Sequence, residues 1–440
     1  MKNILVLGAG LVAKPLIDYL RKQPGFSVTI ASYEISDAIK KIVGNTNGKV
    51  IRFDVNDIVK LDELVSVSDV VVSLLPFTLH VIVANSCIKY RKSMITTSYI
   101  SDEMSDLNSE AKKAGILLLN EIGMDPGIDH MSAMRVIHDV RSRGGVIKSF
   151  RSYCGGLPAP EANDNPYGYK FSWSPRGVVM AGRHDGKYLE NGKEVSIPGK
   201  DLFKNYYHLE IPTVGKLEAY PNRDSIQYID TYGIKDTKTM YRGTLRNLGW
   251  CDTLRAIADL GYLNDTERPD SAGKSYAQFT SMLAGKEGSN AKDSACSLLN
   301  MKPDSDVIGR MEWLGLFDNN PLPKNQNNAL DYLVDLMLLK MPYKEGERDM
   351  IVLFHDFVAE YPNGKKEGIT STLIDFRTPK GDSSMSRTVS LPAAVGTKLI
   401  LEGRINLKGV HIPVAPEIYN PVLDELETMN IVCKEETKAL

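Results

Sequence analysis

Residues 3–7 form a short apolar run that ends on Gly8-Ala9-Gly10-Leu11-Val12-Ala13. A helix-forming segment through residue 22 and a second apolar run at 27–31 follow. A strand that breaks into a Gly-x-Gly-x-x-Ala turn, re-enters as a helix and returns as a strand predicts a doubly wound sheet that binds a dinucleotide. Gly8 permits the tight turn, Gly10 lets the backbone approach a pyrophosphate, and Ala13 allows close helix–strand packing. Leu11 and Val12 lead into the helix, whose first N–H groups and dipole favour phosphate.

The alternation continues for a hundred residues. Strands are expected at 50–53, 69–74, 94–97 and 116–120, with helical patterns at 36–43, 58–66, 79–91 and 105–114. Such spacing means a parallel sheet of Rossmann type, with ligands at the carboxyl ends of its strands. That edge carries Ser32, Asp54, Leu75-Pro76-Phe77, Ser98-Tyr99 and Gly123-Met124-Asp125-Pro126. The end of the second strand reads Ala31-Ser32-Tyr33-Glu34. A small hydroxyl at position 32, where an acid would bind the ribose of NAD, favours NADP(H). Glu34 two residues on and the lack of an adjacent arginine leave NAD(H) open.

At 440 residues the chain needs two or three domains. A formal charge of −2 gives no footprint for nucleic acid or an anionic membrane. No apolar run has the length of a membrane span. The five cysteines are scattered and odd in number, and the seven histidines form no ligand motif, so a reducing, cytoplasmic, metal-free protein is expected.

Beyond about residue 124 the alternation stops. A helix follows Gly127, and 146–154 reads as a strand entering a loop, residues 153–175, rich in Gly, Pro and aromatics. Such a loop turns a corner or shapes a ligand site. Tyr220-Pro221-Asn222-Arg223-Asp224-Ser225 and Tyr241-Arg242-Gly243-Thr244-Leu245-Arg246 each set arginine beside turn residues. Arginine clamps carboxylates through two parallel hydrogen bonds, so several suggest a substrate with more than one carboxylate. Arg223 beside Asp224 could equally mark a turn.

These blocks, with Ser-Tyr-Cys-Gly-Gly-Leu-Pro-Ala-Pro (152–160), Tyr-Lys-Phe-Ser-Trp-Ser-Pro (169–175), Ser-Leu-Leu-Pro (73–76), Thr-Ser-Tyr-Ile (97–100) and Asn-Glu-Ile-Gly-Met-Asp-Pro-Gly-Ile-Asp-His (120–130), resemble the glutamate-forming saccharopine dehydrogenase family. The likeness runs essentially end to end. It implies reversible oxidation of the secondary amine of saccharopine by a nicotinamide cofactor. The imine is hydrolysed to glutamate and 2-aminoadipate semialdehyde, in lysine metabolism, by a homodimer. Three carboxylates on the substrate agree with several arginines.

By that similarity, substrate contacts fall on Ser98, Tyr99, Asp125, Arg223, Arg242, Thr244 and Arg246, with Asp125 and Tyr99 as candidate catalytic groups. Asp125 could hold an ammonium or the hydrolytic water, or simply form an Asp-Pro-Gly turn. Cofactor contacts are expected at Gly8, Gly10, Leu11, Val12, Ser32, Asp54, Leu75, Pro76, Met124, Asp125 and Trp173. Lys170 either joins Trp173 in the substrate wall or is a solvated lysine. His130 reads as an early helix residue, with a titrating role as the alternative. Cys154 has no base to activate it and reads as pocket lining. A polyamine-forming carbon–nitrogen oxidoreductase of the carboxynorspermidine or homospermidine type, or a non-catalytic dinucleotide-binding regulator, is the rival reading.

The expected architecture is α/β. Residues 1–127 form the Rossmann-type domain, with 391–440 packed back on it. Residues 128–250 and 346–390 form a mixed α/β substrate domain, and 251–345 a mostly helical insertion, with strands near 350–354 and 370–376 and helices at 393–402 and 420–429.

Overall fold

The computed structural model describes residues 1–34 and 48–440; the helix expected at 36–43 lies outside them. By internal contacts the chain divides into one unit of residues 1–147 and 359–440 and a second of residues 148–358. The divisions fall inside strands.

In the first unit, β1 (Lys2–Leu7) pairs parallel with β2 (Phe26–Ser32), and β2 with β3 (Lys49–Arg52). On its other side lie β4 (Val70–Ser73), β5 (Ser93–Thr96) and β6 (Leu117–Leu119), also parallel. The order β6-β5-β4-β1-β2-β3 reverses between β1 and β4, so the carboxyl ends there form a crevice suited to a ligand. Ile4–Leu7 and Val70–Ser73 are buried at every position, as expected of strands covered on both faces. The covering helices include Ala13–Lys22, Ile58–Ser66 and His80–Tyr90. The single helix expected at 105–114 is two, Asp102–Asp106 and Asn108–Ala114, because the Ser101 hydroxyl caps an earlier start at the Met104 N–H.

The second unit holds most of β7 (Val146–Pro158), then the hairpin of β8 (Gly186–Glu190) and β9 (Lys193–Ile197). Asn191 and Gly192 both take positive φ in its two-residue turn, as a twisted hairpin requires. β10 (Tyr207–Ile211) and β11 (Gly215–Pro221) form a second hairpin. β12 (Thr239–Arg246) runs antiparallel to β11 and parallel to β7, which is flanked by β13 (Asp349–Glu360). The sheet is therefore mixed. Between β12 and β13 come helices Trp250–Asp259, Tyr276–Leu283, Ala291–Leu299, Asp306–Leu314 and Ala329–Lys340, around a core of Trp250, Tyr262, Phe279 and Tyr332.

Two expectations change here. Residues 153–158 continue β7 instead of opening a loop. A Cβ on Gly155 would lie 2.8 Å from the Leu245 Cβ, so this glycine serves close strand packing. The arginines expected beside turns at 242 and 246 lie on β12 itself.

The chain returns to the first unit with β14 (Lys366–Phe376), β15 (Gly409–His411) and β16 (Lys434–Ala439). β15 joins β6 in parallel, the seventh strand of that sheet among the described residues. Helix Ser384–Leu401 starts before Pro392 and passes through it, where the sequence suggested a start after it. An interior proline costs a helix roughly 3 kcal/mol. Here the helix is buried along most of its length and packs on Ala13–Lys22, and that burial outweighs the cost. Helix Pro416–Thr428 follows. Among the described residues no helix is long and apolar enough to cross a membrane, and no group of His, Cys, Asp and Glu could hold a metal ion.

Candidate active site

The glycine turn of the first unit leaves room for a dinucleotide. Gly8 has φ of +96°, and a Cβ there would stand 2.9 Å from the Leu74 carbonyl oxygen, so no other residue fits. A Cβ on Gly10 would meet nothing within 4 Å. That space lets a pyrophosphate approach the backbone. Leu11 is exposed, and Val12 opens helix Ala13–Lys22 without a side-chain cap. The Ala13 N–H turns back to the Gly10 carbonyl at 3.1 Å, and the uncapped end presents its positive dipole to an anion. Leu74 donates to the Leu7 carbonyl at 2.8 Å, which sets Leu75 and Pro76 just beyond β4, beside the turn. These residues fit a dinucleotide.

Ser32 has a structural task too: its Oγ accepts the Ala9 N–H at 3.2 Å, tying the glycine turn to the end of β2. The Asp54 carboxylate accepts both the backbone N–H and the side-chain amide of Asn56, each at 2.9 Å, and so closes its own turn. Sequence reasoning found no arginine adjacent to Ser32. Parallel pairing of β2 with β3 puts Arg52 directly opposite it, twenty positions away in the chain.

At the next strand ends, the Tyr99 hydroxyl donates to Asp125 Oδ1 at 2.8 Å, uniting the two candidate catalytic groups. The Asp125–Pro126 peptide is cis, and Met124 before it is buried. Gly127 closes this turn so tightly that a Cβ would lie 2.0 Å from the Gly123 oxygen. Glu121, with φ of +57°, clasps the turn from below: Oε1 accepts the Ile100 N–H at 2.9 Å and Oε2 lies 2.8 Å from His130 Nε2. His130 is thus a buried framing residue, and Glu121 is a functional candidate that sequence reasoning missed. The signal that finds it, a positive φ on a non-glycine residue, is invisible in the sequence.

Ser98 is held by a second unforeseen residue. Buried His80 places Nε2 2.9 Å from Ser98 Oγ and 3.0 Å from Thr96 Oγ1, and Nδ1 2.9 Å from Ser73 Oγ. Burial pushes its imidazole down to about 4, so it stays neutral at neutral pH. One uncharged ring thereby joins the ends of β4 and β5 to Ser98.

In the second unit, Arg242, Thr244 and Arg246 alternate along β12 and so face one side of the sheet. The Arg242 guanidinium lies 4.5 Å from the Tyr228 ring centroid. Arg246 is 4% exposed, with Tyr169 and Trp250 rings 5.0 and 5.4 Å from its guanidinium. Its Nη1 donates to the Leu245 carbonyl, while among the described residues Nε has no partner and no carboxylate pairs with it. Glu218, opposite it in register, is committed to the Gly249 and Cys251 N–H groups at 2.6 and 2.8 Å. The guanidinium is thus buried with one donor idle, a cost that a bonding partner would remove.

Arg223 follows β11 with φ of +53°. Asn222 donates to the Arg242 carbonyl at 2.9 Å, and the Arg242 N–H donates to Ser225 Oγ at 3.0 Å, so this turn rides on β12. Arg223 Nη2 is 3.3 Å from His184 Nε2; burial first, and then the Arg223 charge, lower the His184 pKa. The aromatics of 153–175 go mostly into the core, where Tyr167 and Tyr169 are buried. Trp173 packs against that core. Lys170 is neither solvated nor idle: it pairs with Asp164 at 2.7 Å and Glu347 at 2.6 Å, pinning the segment. Cys154 sits on β7 opposite Thr244.

Two family models match the chain. The saccharopine dehydrogenase NADP binding domain covers residues 4–119, and the saccharopine dehydrogenase C-terminal domain covers residues 123–431. The saccharopine dehydrogenase (NADP+, L-glutamate-forming) of Schizosaccharomyces pombe is 40% identical over 99% of both chains. Its counterpart from Saccharomyces cerevisiae is 40% identical over 100% of both. The mitochondrial alpha-aminoadipic semialdehyde synthase of Bos taurus is 36% identical over 98% of this chain and 47% of its own length. The solved structure of apo saccharopine dehydrogenase (L-Glu forming) from Saccharomyces cerevisiae matches with a TM-score of 0.90 and 39% identity over 100% of both chains.

Proposed function

The chain belongs to the saccharopine dehydrogenase family, and from that membership we propose that it converts saccharopine and water to L-glutamate and 2-aminoadipate 6-semialdehyde, reversibly and with NADP+. It is an oxidoreductase acting on a CH–NH donor. The observation that carries this reading is identity of 40% along the full length of two L-glutamate-forming enzymes. The polyamine-type and regulator readings are not favoured.

Bound NADP+ supplies the hydride acceptor for the carbon beside the secondary amine. The protein supplies position, charge and a place for one water. Asp125 accepts from the amine or holds the water that splits the imine, and its bond to Tyr99 supports that role by fixing the carboxylate. Tyr99 orients the amine, and Ser98, steadied by His80, binds alongside. Arg246 pairs with one substrate carboxylate; its burial and unpaired Nε support this. Arg242 and Thr244 on the same strand face, with Arg223, hold other polar groups of the substrate. In functional terms we divide the chain as 1–127 with 391–440 for the cofactor, 128–250 with 346–390 for the substrate, and 251–345 as a helical insertion. A homodimer working in the cytoplasm, in lysine metabolism, completes the proposal, and light scattering at twice the chain mass would support the dimer.

The test is product identity. Saccharopine and NADP+ with the purified protein are expected to give L-glutamate and NADPH in equal amounts by mass spectrometry. NADPH without glutamate overturns the assignment.

A further inference from the structure

We propose that Arg52 selects NADP over NAD by receiving the 2′-phosphate, an inference that rests on the dinucleotide reading above and adds a residue outside the glycine turn. The parallel register sets Arg52 opposite Ser32 at the carboxyl edge of the sheet, where the ribose of a dinucleotide is read. Its guanidinium lies over the Tyr33 ring, 5.3 Å from the centroid. A cation held over a ring face keeps its N–H groups free for an anion, and a guanidinium grips phosphate through two parallel bonds.

Three further observations point the same way. Arg52 is exposed and, among the described residues, forms no ion pair, so its charge is uncommitted. The Ser32 oxygen already accepts from Ala9, which leaves its proton to donate to a phosphate oxygen. The glycine turn, residues 7–13, carries no basic side chain, so cationic recognition must come from elsewhere. The exposed ring of Tyr33 is then a platform for Arg52.

Full-length wild type, Arg52→Ala, Arg52→Lys and Tyr33→Leu are compared by calorimetry with adenosine 2′,5′-bisphosphate and adenosine 5′-monophosphate, and by fluorescence with NADPH and NADH. Wild type is expected to prefer the 2′-phosphorylated member of each pair by about 10–100-fold, the worth of a charge-assisted bond. Arg52→Ala abolishes that preference and leaves NADH binding and melting temperature unchanged. Arg52→Lys keeps part of it, because an ammonium retains charge but not the fork. Tyr33→Leu weakens it, and added salt erodes it in wild type. Equal loss of both dinucleotides in Arg52→Ala, or an intact preference, overturns the proposal. Wild type that binds both dinucleotides alike overturns it while sparing the dinucleotide reading; wild type that binds neither ends both.

Discussion

Arg246 is buried, with the Tyr169 and Trp250 rings about its guanidinium and one donor idle, while the acid opposite it, Glu218, is committed to backbone amides. Replacing it with methionine keeps the bulk and removes the charge. The expected outcome is a rise of about 10–100-fold in KM for saccharopine, with NADPH affinity unchanged in a fluorescence titration. His80 makes a different prediction. Its pKa, 6.5 when unfolded, falls to about 4 on burial. Between those values the unfolded chain holds a proton that the folded chain refuses, so stability is lost as pH falls through that window. Urea midpoints at pH 7 and pH 5 are expected to separate in wild type, and the gap to narrow in His80→Asn. At this scale the sequence displayed Arg246, Tyr99 and Asp125 through their motifs. It hid Glu121, His80 and Arg52, whose roles come from a backbone dihedral, burial and strand register respectively.

At the scale of elements, the glycine turn separates two kinds of constraint. Gly8→Ala adds a Cβ 2.9 Å from a backbone oxygen at a φ of +96°. It is expected to cost about 1–3 kcal/mol and to lower the melting temperature together with dinucleotide affinity. Gly10→Ala meets nothing within 4 Å of the protein. There the fold is expected to melt as wild type while NADPH binding falls at least tenfold, because only the ligand needs that space. Strands β1 to β6 were legible because parallel strands buried on both faces write themselves as apolar runs. The path of Ser384–Leu401 through Pro392 was not, since a local penalty gave way to packing against a helix nearly four hundred residues away. Nor was the extension of β7 to Pro158, because a glycine pair reads as a turn until the neighbouring strand is known.

For the whole molecule, the sequence carried the class of fold, the cofactor turn and the family through blocks distributed along the entire length. What it could not carry was the bookkeeping of charge: which cations are already paired, as Lys170 is, and which keep a buried donor idle, as Arg246 does. In the proposed reaction, that distinction marks where a tricarboxylate would bind. The direct measurement is the absorbance of reduced nicotinamide on mixing purified protein with NADP+, with and without saccharopine. Saccharopine-dependent reduction is expected, faster with NADP+ than with NAD+ at equal concentration. Tight NADPH binding without any saccharopine-dependent signal would contradict it.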